Sequence, residues 1–306
     1  MNRAMDLNTE RAKYITAVVL YGTIGLFLRH VKLASEIVAM CRGILGSLFI
    51  LTYLRMRGRR LDKEAIRKNL KWLLIAGIGL GLNWIFLFAA YNKTTVAIAS
   101  LCNYMAPVIV ILLAPLVLHE RLDKRKMVCV GAAFTGIVLV SGVLTGSAGN
   151  LPGTLLGLAA AACFVVIVLC NRKLKDIDAL DRSVVQLALS AVTILPYVLI
   201  RNAGSALQPD LKSVLVVLML GIVHTGFAYC LYFSGMGRLP VQTVAILGYL
   251  EPVVSVLCSV VFLNEHMGVP GWIGAALVIG AAIASETMRQ KDAPDPKNES
   301  HDTFDA

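Results

Sequence analysis

The sequence predicts an all-α membrane protein with ten transmembrane helices, arranged as two inverted five-helix repeats. Of its 306 residues, 57% are hydrophobic and 16% are charged, whereas about 25% are charged in soluble globular domains. The apolar residues fall into ten runs, each near the length that crosses a bilayer. In addition, residues 100–122, SLCNYMAPVIVILLAPLVLHERL, align without a gap with residues 245–267, AILGYLEPVVSVLCSVVFLNEHM.

The ten predicted spans follow one another with short polar links. A helix needs about 20 mainly apolar residues to cross a bilayer, and only helices or closed barrels satisfy the backbone inside lipid. The polar tail at 288–306 is predicted to be a disordered cytoplasmic tail, because it has too little apolar surface to fold. The predicted spans 1 to 10 are 13–29, 37–54, 71–91, 95–117, 127–144, 152–170, 184–200, 211–233, 241–263 and 270–287.

Lysine and arginine are distributed as membrane topology requires. With a cytoplasmic N-terminus, the inner segments carry 23 of the 29 Lys and Arg residues and the outer loops carry 5, with Arg42 inside span 2. Because cytoplasmic loops are enriched in these residues, both termini are predicted to be cytoplasmic in a multi-pass protein of the plasma membrane, the bacterial inner membrane. The net charge of +10 lies mainly in short loops and does not indicate nucleic-acid binding.

The sequence offers no sign of catalytic or metal chemistry. The seven cysteines lie inside apolar runs, without a CxxC pair or a histidine at ligand spacing. We interpret them as packing residues and predict no disulfide, no metal site and no cofactor. The motifs GxxxxGKS/T, HExxH and GxSxG are absent from the sequence, so neither ATP hydrolysis nor an enzyme is indicated.

The offset of 145 residues carries spans 3, 4 and 5 onto spans 8, 9 and 10. It aligns Tyr104 with Tyr249 and Pro107 with Pro252. Because each unit holds five spans, an odd number, the second copy enters the membrane from the opposite side. Inverted repeats of this kind are typical of secondary transporters, whose substrate site lies near mid-membrane.

Each of the two aligned segments has a proline midway along the fourth helix of its unit, and each ends in a leucine-rich run that closes on a glutamate, Glu120 or Glu265. In these features they resemble the EamA-type members of the drug/metabolite transporter (DMT) superfamily. The resemblance covers roughly residues 14–286 and implies two EamA-like five-helix repeats, 13–144 and 152–287.

That resemblance implies a secondary-active transporter of small organic metabolites, amino acids or related compounds, which exports them by alternating access. A passive channel or facilitator for small solutes is the alternative. The implied partners are a small-molecule substrate, the lipid bilayer and, for a coupled carrier, protons. The protein is expected to act as a monomer or a homodimer.

Two prolines are predicted to distort their helices. A proline cannot donate a hydrogen bond and clashes with the carbonyl four residues back, so Pro107 strains the turn at Asn103 and Pro252 strains the turn at Gly248. One interpretation is that the freed carbonyls line a substrate cavity and let the helices bend during transport. The other is that both prolines are packing kinks.

Two titratable residues lie in the middle of predicted spans. Glu251 lies about eleven residues into span 9, which at about 1.5 Å per residue places it near the bilayer centre. A carboxyl at that depth is costly unless it faces water, is paired or is protonated. It is therefore either a proton-coupling or amine-binding group or a structural carboxyl bonded to a neighbouring helix. His224, in span 8, either binds substrate or relays protons with Glu251, or bonds a nearby carbonyl.

Aromatic and amide side chains supply the other candidate substrate contacts. Rings with polar tips suit a cavity for molecules that have polar and apolar parts, although Tyr and Trp also mark membrane interfaces. The cavity is predicted mainly from spans 3, 4, 8 and 9, together with spans 1 and 6. Its further candidate residues are Asn83, Trp84, Tyr91, Asn103, Tyr229 and Tyr249, with Thr225 and Tyr232 on the same helical stripe as Tyr229.

Three charged residues near span ends have more than one interpretation. Arg42, about a turn and a half from the outer end of span 2, either snorkels to the headgroups or serves in gating or in binding an anionic substrate. Glu120 and Glu265 end spans 4 and 9 on opposite faces of the membrane, and each is predicted to cap the helix that follows it.

Overall fold

The computed structural model describes residues 2–110, 124–141, 151–201, 210–236, 239 and 241–291. Within these residues the backbone forms helices, turns and bends but no strand, so the described chain is all-α as predicted. Its helices are α1 (Asn2–Leu28), α2 (Ser35–Met56), α3 (Lys63–Lys68), α4 (Leu70–Tyr91), α5 (Val96–Asn103), α6 (106–110), α7 (Lys124–Ser141), α8 (Leu151–Asn171), α9 (Ala179–Arg201), α10 (Leu211–Gly221), a π-helical segment (Ile222–Phe227), α11 (Ala228–Met236), α12 (Val241–Gly248), α13 (Leu250–Phe262) and α14 (Val269–Lys291).

Six helical stretches are long and apolar enough to cross a membrane, and they coincide with predicted spans 1, 2, 3, 6, 7 and 8. They are Leu7–Leu28, Ser35–Met56, Leu70–Tyr91, Leu151–Asn171, Ala179–Arg201 and Leu211–Met236. Predicted spans 4, 5, 9 and 10 coincide with shorter apolar helices at Val96–Val110, Met127–Ser141, Leu250–Phe262 and Val269–Ala284. The chain is thus a multi-pass membrane protein. The last helix continues to Lys291, past its predicted end at 287, and Glu120 lies outside the described residues.

Both prolines of the aligned segments follow a break in the helix. The helix α5 ends at Asn103 and α6 begins at 106, while α12 ends at Gly248 and α13 begins at Leu250. Asn103 and Gly248 are four residues before Pro107 and Pro252, where the proline ring meets the preceding turn. The predicted distortions at these two positions are confirmed.

A third interruption, the π-helical segment at Ile222–Phe227, is not predicted from the sequence. In this segment the Thr225 hydroxyl donates to the Leu220 carbonyl oxygen at 2.8 Å, and the His224 Nδ1 lies 3.4 Å from the Met219 carbonyl oxygen. Both bonds reach back five residues, the spacing of a π-helix. Such insertions are frequent at functional sites because they re-aim the side chains that follow.

Helices from the two predicted units pack against each other throughout the bundle. The helix α1 lies against α11 and α13, and α8 lies against α4 and α5. In addition, α2 pairs with α9, and α7 pairs with α14. Each of these contacts joins a helix from residues 13–144 to a helix from residues 152–287. The described parts of the two units therefore interdigitate.

In the α7–α14 pair, two glycines face each other closely. A Cβ on Gly136 would lie 2.7 Å from the Gly274 carbonyl oxygen, and a Cβ on Gly274 would lie 2.6 Å from the Gly136 carbonyl oxygen. The contact is reciprocal, since Gly136 also meets Val278 and Gly274 meets Val140. Small residues let membrane helices come this close.

Polar contacts join the residues on both sides of α3 to the connection between α8 and α9 and to the first turn of α9. Arg59 contacts Asp178 and Asp181, each at 3.1 Å. The Asp178 carboxylate, which accepts its hydrogen bond, raises the pKa of the Arg59 guanidinium above its ordinary value. The Asn69 side chain donates to the Lys175 carbonyl oxygen at 2.7 Å and accepts from the Lys175 N–H at 2.9 Å. These contacts lie on the face predicted to be cytoplasmic.

Candidate functional site

Arg42 lies inside the bundle, on α2. Only 4% of the residue is exposed. Its guanidinium carbon lies 4.6 Å from the centroid of the Trp84 ring and 5.4 Å from that of Phe88, and its Nε donates to the Thr225 hydroxyl at 3.1 Å. Aromatic faces stabilise a cation placed over them. The snorkelling interpretation is therefore wrong, because the side chain is directed to neighbouring helices and not to the headgroups.

The Arg42 guanidinium has more donors than protein partners. A guanidinium carries five N–H donors and stays charged in proteins. In the described part of the chain only Thr225 accepts a hydrogen bond from it, and no described carboxylate lies at ion-pair distance. A charge that is removed from water without a paired anion is costly. This arginine is therefore not explained by structural pairing.

Glu251 is the second charge of the interior. It lies in the first turn of α13, directly before Pro252, and is half-buried. Its carboxyl shares a hydrogen bond with the hydroxyl of Tyr104, which lies at the break between α5 and α6. Arg42 and Glu251 interact through their charges but form no direct ion pair. We call these two residues the central charges.

Tyrosines from α1 and α11 surround the central charges. The ring centroid of Tyr21 lies 5.9 Å from those of Tyr229 and Tyr232, and that of Tyr14 lies 4.9 Å from that of Tyr232. All four hydroxyls lie close enough to Glu251 to interact with its charge. Tyr21, Tyr229 and Tyr232 are only half-buried in spite of these packed neighbours.

Tyr229 and Tyr232 are among the residues predicted from the sequence, whereas Tyr14, Tyr21 and the hydroxyl of Tyr104 are not. Tyr14 and Tyr21 are seven residues apart, a spacing that places both on one face of a helix. That spacing was a signal that could have been used. In the sequence, Tyr104 is distinguished only by its alignment with Tyr249. Its contact with Glu251, which is remote in sequence, is visible only in the structure.

His224 is held by neighbouring groups. It lies in the π-helical segment and is 3% exposed. Its Nε2 lies 3.2 Å from the Thr23 hydroxyl, its Nδ1 lies near the Met219 carbonyl, and the Phe27 ring packs against its edge at 5.1 Å. Both ring nitrogens thus have partners on α1 and α10. This geometry favours the interpretation in which the histidine bonds a nearby carbonyl.

Asn83 and Asn103 form a separate polar contact. The Asn83 amide nitrogen donates to the Asn103 side-chain oxygen at 3.0 Å and to the Ala160 carbonyl oxygen at 2.8 Å. One side chain therefore ties α4, α5 and α8 together. Span 6, which is α8, takes part in this contact through the Ala160 backbone carbonyl. Among the described contacts it is α2, a helix not expected at the cavity, that supplies the central cation Arg42.

Tyr91 and Tyr249 serve different helices. The Tyr91 hydroxyl lies 3.3 Å from that of Ser100, which accepts a hydrogen bond from the Ser255 hydroxyl at 2.7 Å. These two hydrogen bonds join α4, α5 and α13. The Tyr249 hydroxyl donates instead to the Ala282 carbonyl oxygen at 2.9 Å, which fixes the α12–α13 break to α14. Of the two prolines that follow the breaks, Pro107 is half-buried and Pro252 is buried.

Glu265 joins three helix ends. Its Oε1 accepts from Arg29 at 2.9 Å, and its Oε2 accepts from the Val96 N–H at 2.8 Å and from the Ser259 hydroxyl. Arg29 also donates to the Thr94 carbonyl oxygen at 2.7 Å. Glu265 therefore caps α5, and the expectation that it caps the following helix, α14, is wrong. We call Arg29, Glu265 and the Thr94–Val96 backbone the outer clamp, since all of them lie on the face predicted to be outside.

Comparison with known proteins identifies one family. The family described as the EamA-like transporter family matches residues 13–142 and again residues 151–285. A transporter named YxxF from Bacillus subtilis, described as uncharacterized, is 24% identical over 291 residues, which cover 94% of this chain and 92% of that protein. The protein RarD of Salmonella typhi is 26% identical over 301 residues, covering 94% of this chain and 100% of its own length.

One relative has a name that states a substrate. The aromatic amino acid exporter YddG of Ancylobacter novellus is 28% identical over 210 residues, which cover 67% of this chain and 72% of that protein. A solved crystal structure is also similar in fold, with a TM-score of 0.65 and 22% sequence identity, and the match covers 92% of this chain and 98% of the other.

Proposed function

Because the chain belongs to the EamA-like transporter family, we propose that it is a secondary-active transporter that exports small organic metabolites, amino acids or related compounds, by alternating access. The observation that carries this proposal is the arrangement of the central charges, which lie among half-buried aromatic side chains without forming an ion pair. A solute with charged and apolar parts fits such a place. Secondary transporters bind substrate near mid-membrane, between repeated units.

The proposal includes ten crossings, in two inverted repeats with both termini in the cytoplasm of a bacterial inner membrane. The family matches the chain twice, over ranges close to 13–144 and 152–287. The helix contacts correspond between the two units: span 1 contacts spans 8 and 9, and its counterpart, span 6, contacts spans 3 and 4. Both observations support an inverted repeat, and the distribution of Lys and Arg supports the orientation.

Aromatic amino acids are the first compounds to test. The relative YddG is named an exporter of aromatic amino acids, and the central charges of this chain are surrounded by the rings of Trp84, Tyr21, Tyr229 and Tyr232. Stacking between aromatic rings adds binding energy beyond that of buried area. Both observations support an aromatic side chain in the substrate.

The outer clamp supports alternating access. It joins the end of α13, in the second predicted unit, to the end of α1 and the start of α5, in the first. In this arrangement we infer a conformation that is closed on the outside. Release of substrate to the outside then requires the Arg29–Glu265 contact to open.

Reconstituted protein tests the proposal. Proteoliposomes loaded with unlabelled phenylalanine should accumulate labelled phenylalanine by counterflow, and the initial rate should saturate with concentration. A carrier exchanges solute in this way because each crossing needs a bound substrate. An electrical current or a leak that does not saturate, without counterflow, would instead favour the passive channel.

Glu251 is proposed as the group that couples transport to protons. The Glu251→Gln variant keeps the shape of the side chain and removes its ability to ionise. Exchange should therefore lose its pH dependence, while expression and thermal stability stay near wild type. The matched control is Glu64→Gln, at an exposed residue that contacts Lys68 at 2.8 Å. Unaltered pH dependence in Glu251→Gln would assign the carboxyl to a structural role.

A further inference from the structure

Arg42 is a buried cation, and the described residues place no carboxylate within ion-pair distance of it. Resting on the proposed transport function, we propose that Arg42 binds the carboxylate of the substrate, and that the substrates are therefore zwitterions with a carboxylate, an amine and an apolar side chain.

The geometry of Arg42 suits a planar anion. Its Nε is held by the Thr225 hydroxyl, and the rings of Trp84 and Phe88 lie 4.6 Å and 5.4 Å from the guanidinium carbon. These contacts fix the plane of the guanidinium and leave its two terminal nitrogens without a described acceptor. A guanidinium presents these donors as a rigid fork that matches a carboxylate through two parallel hydrogen bonds.

The charge of the site limits the anion to a single negative charge. A phosphate carries more negative charge and is usually held by several cations or by backbone amides. Here the other described cation near the tyrosines is Arg182, which lies over the Phe233 ring at 5.5 Å. Glu251, which interacts with Arg42 through its charge, disfavours a dianion further. A carboxylate is the group that one guanidinium neutralises.

The same arrangement provides a place for an amine. The Glu251 carboxyl is bonded on one side by Tyr104, and a carboxylate can accept hydrogen bonds at both oxygens. A solute that bridges the central charges would place its carboxylate at Arg42 and its ammonium at Glu251. The rings of Tyr21, Tyr229 and Tyr232 then remain for the apolar side chain.

A series of analogues tests this assignment on the wild-type protein. Phenylalanine, phenylalaninamide and 3-phenylpropionate share the ring, whereas the amide lacks the carboxylate and the propionate lacks the amine. Each is used to inhibit phenylalanine counterflow in proteoliposomes. We expect both analogues to need at least about tenfold higher concentrations than phenylalanine, because each leaves a buried charge without its partner.

Variants assign the carboxylate effect to Arg42. In Arg42→Gln, the inhibitory concentration of phenylalanine should rise by about tenfold or more and reach that of the amide. The inhibitory concentration of the amide should stay within about twofold of its wild-type value. Protein variant and ligand analogue together form a double-mutant cycle. Arg42→Lys should recover part of the difference, since it restores the charge but not the fork. The matched control is Arg182→Gln, which should keep the full preference for phenylalanine over the amide.

The outcomes are distinguishable. Equal inhibition by phenylalanine and its amide in the wild type would overturn the carboxylate assignment and leave transport standing, as would a preference retained in Arg42→Gln. If Arg42→Gln does not fold, as judged by thermal unfolding, the wild-type series decides. Absence of counterflow with any amino acid would overturn the transport function and this assignment with it.

Discussion

At the scale of single residues, two tyrosines that the 145-residue offset makes equivalent have different partners. The Tyr104 hydroxyl bonds with the Glu251 carboxyl, whereas the Tyr249 hydroxyl donates to the Ala282 carbonyl oxygen. The same offset aligns Glu251 with Ala106. The site therefore has an acid in only one of the two aligned segments. For this reason one tyrosine bonds to a carboxyl and the other to a backbone carbonyl.

Removing each hydroxyl should separate the two roles. Tyr249→Phe should lower the free energy of unfolding by about 1 kcal/mol, the net value of one hydrogen bond, and leave the pH dependence of exchange unchanged. Tyr104→Phe should shift the pH midpoint of exchange by roughly half to one unit, since it takes a hydrogen bond of about 0.5–1.5 kcal/mol from the Glu251 carboxyl and 1.36 kcal/mol corresponds to about one unit. Thermal unfolding and exchange against pH are the measurements. Identical behaviour of the two variants would contradict the division of roles.

Single residues also show where sequence reasoning ends. Glu251 and Trp84 could be picked out because a charge or a large ring in an apolar run is conspicuous in the sequence. For Arg42 the sequence left snorkelling and anion binding open, because the choice depends on whether α4 and the π-helical segment lie beside it. The capping target of Glu265 depends likewise on α5, which is remote in sequence.

At the scale of helices, two kinds of interruption differ in how far they can be predicted. The breaks before Pro107 and Pro252 follow from the proline ring itself, which excludes the bond to the residue four positions back. The π-helical segment at Ile222–Phe227 contains no proline. It is accompanied by bonds such as that between the Thr225 hydroxyl and the Leu220 carbonyl oxygen, which the order of residues alone does not specify.

Removing a proline tests whether the break before α13 serves transport. Pro252→Ala restores an N–H donor and removes the clash with the preceding turn, so we expect a free energy of unfolding that is higher by up to about 3 kcal/mol and a severalfold slower exchange. Thermal unfolding and counterflow rates measure the two effects. The control is Pro196→Ala, which makes the same change at an exposed position inside α9 and should leave the exchange rate unchanged. A wild-type rate in Pro252→Ala would make the proline a packing kink.

At the scale of the whole molecule, the spans were predictable and their neighbours were not. Length and apolar composition suffice to locate a helix that crosses a bilayer, and the predicted spans coincide with the apolar helices of the described chain. Partner choice depends on close packing, because lipid and a neighbouring helix are about equally apolar. The pairing of α2 with α9 and of α7 with α14 is therefore visible only in the structure. The proposed repeat would restrict the choices, since a contact made by one unit is then expected again in the other.

The outer clamp makes a prediction for the molecule as a whole. If Arg29 and Glu265 hold the outside closed, Glu265→Gln should open it more often, because the amide loses the charge that faces Arg29 at 2.9 Å. A cysteine placed at Ser100, which lies buried one turn into α5, should then react about tenfold faster with a membrane-impermeant thiol reagent added outside, the ratio that about 1.4 kcal/mol produces. All the proteins compared carry Cys102→Ala, because Cys102 shares a peptide with residue 100, and mass spectrometry of that peptide then separates this reaction from that of the other native cysteines. Lys32→Gln breaks the exposed contact with Asp210 on the same predicted face and should leave the labelling rate at the wild-type value. Equal labelling of Glu265→Gln and its parent would mean that closure on the outside depends on helix packing and not on this charge.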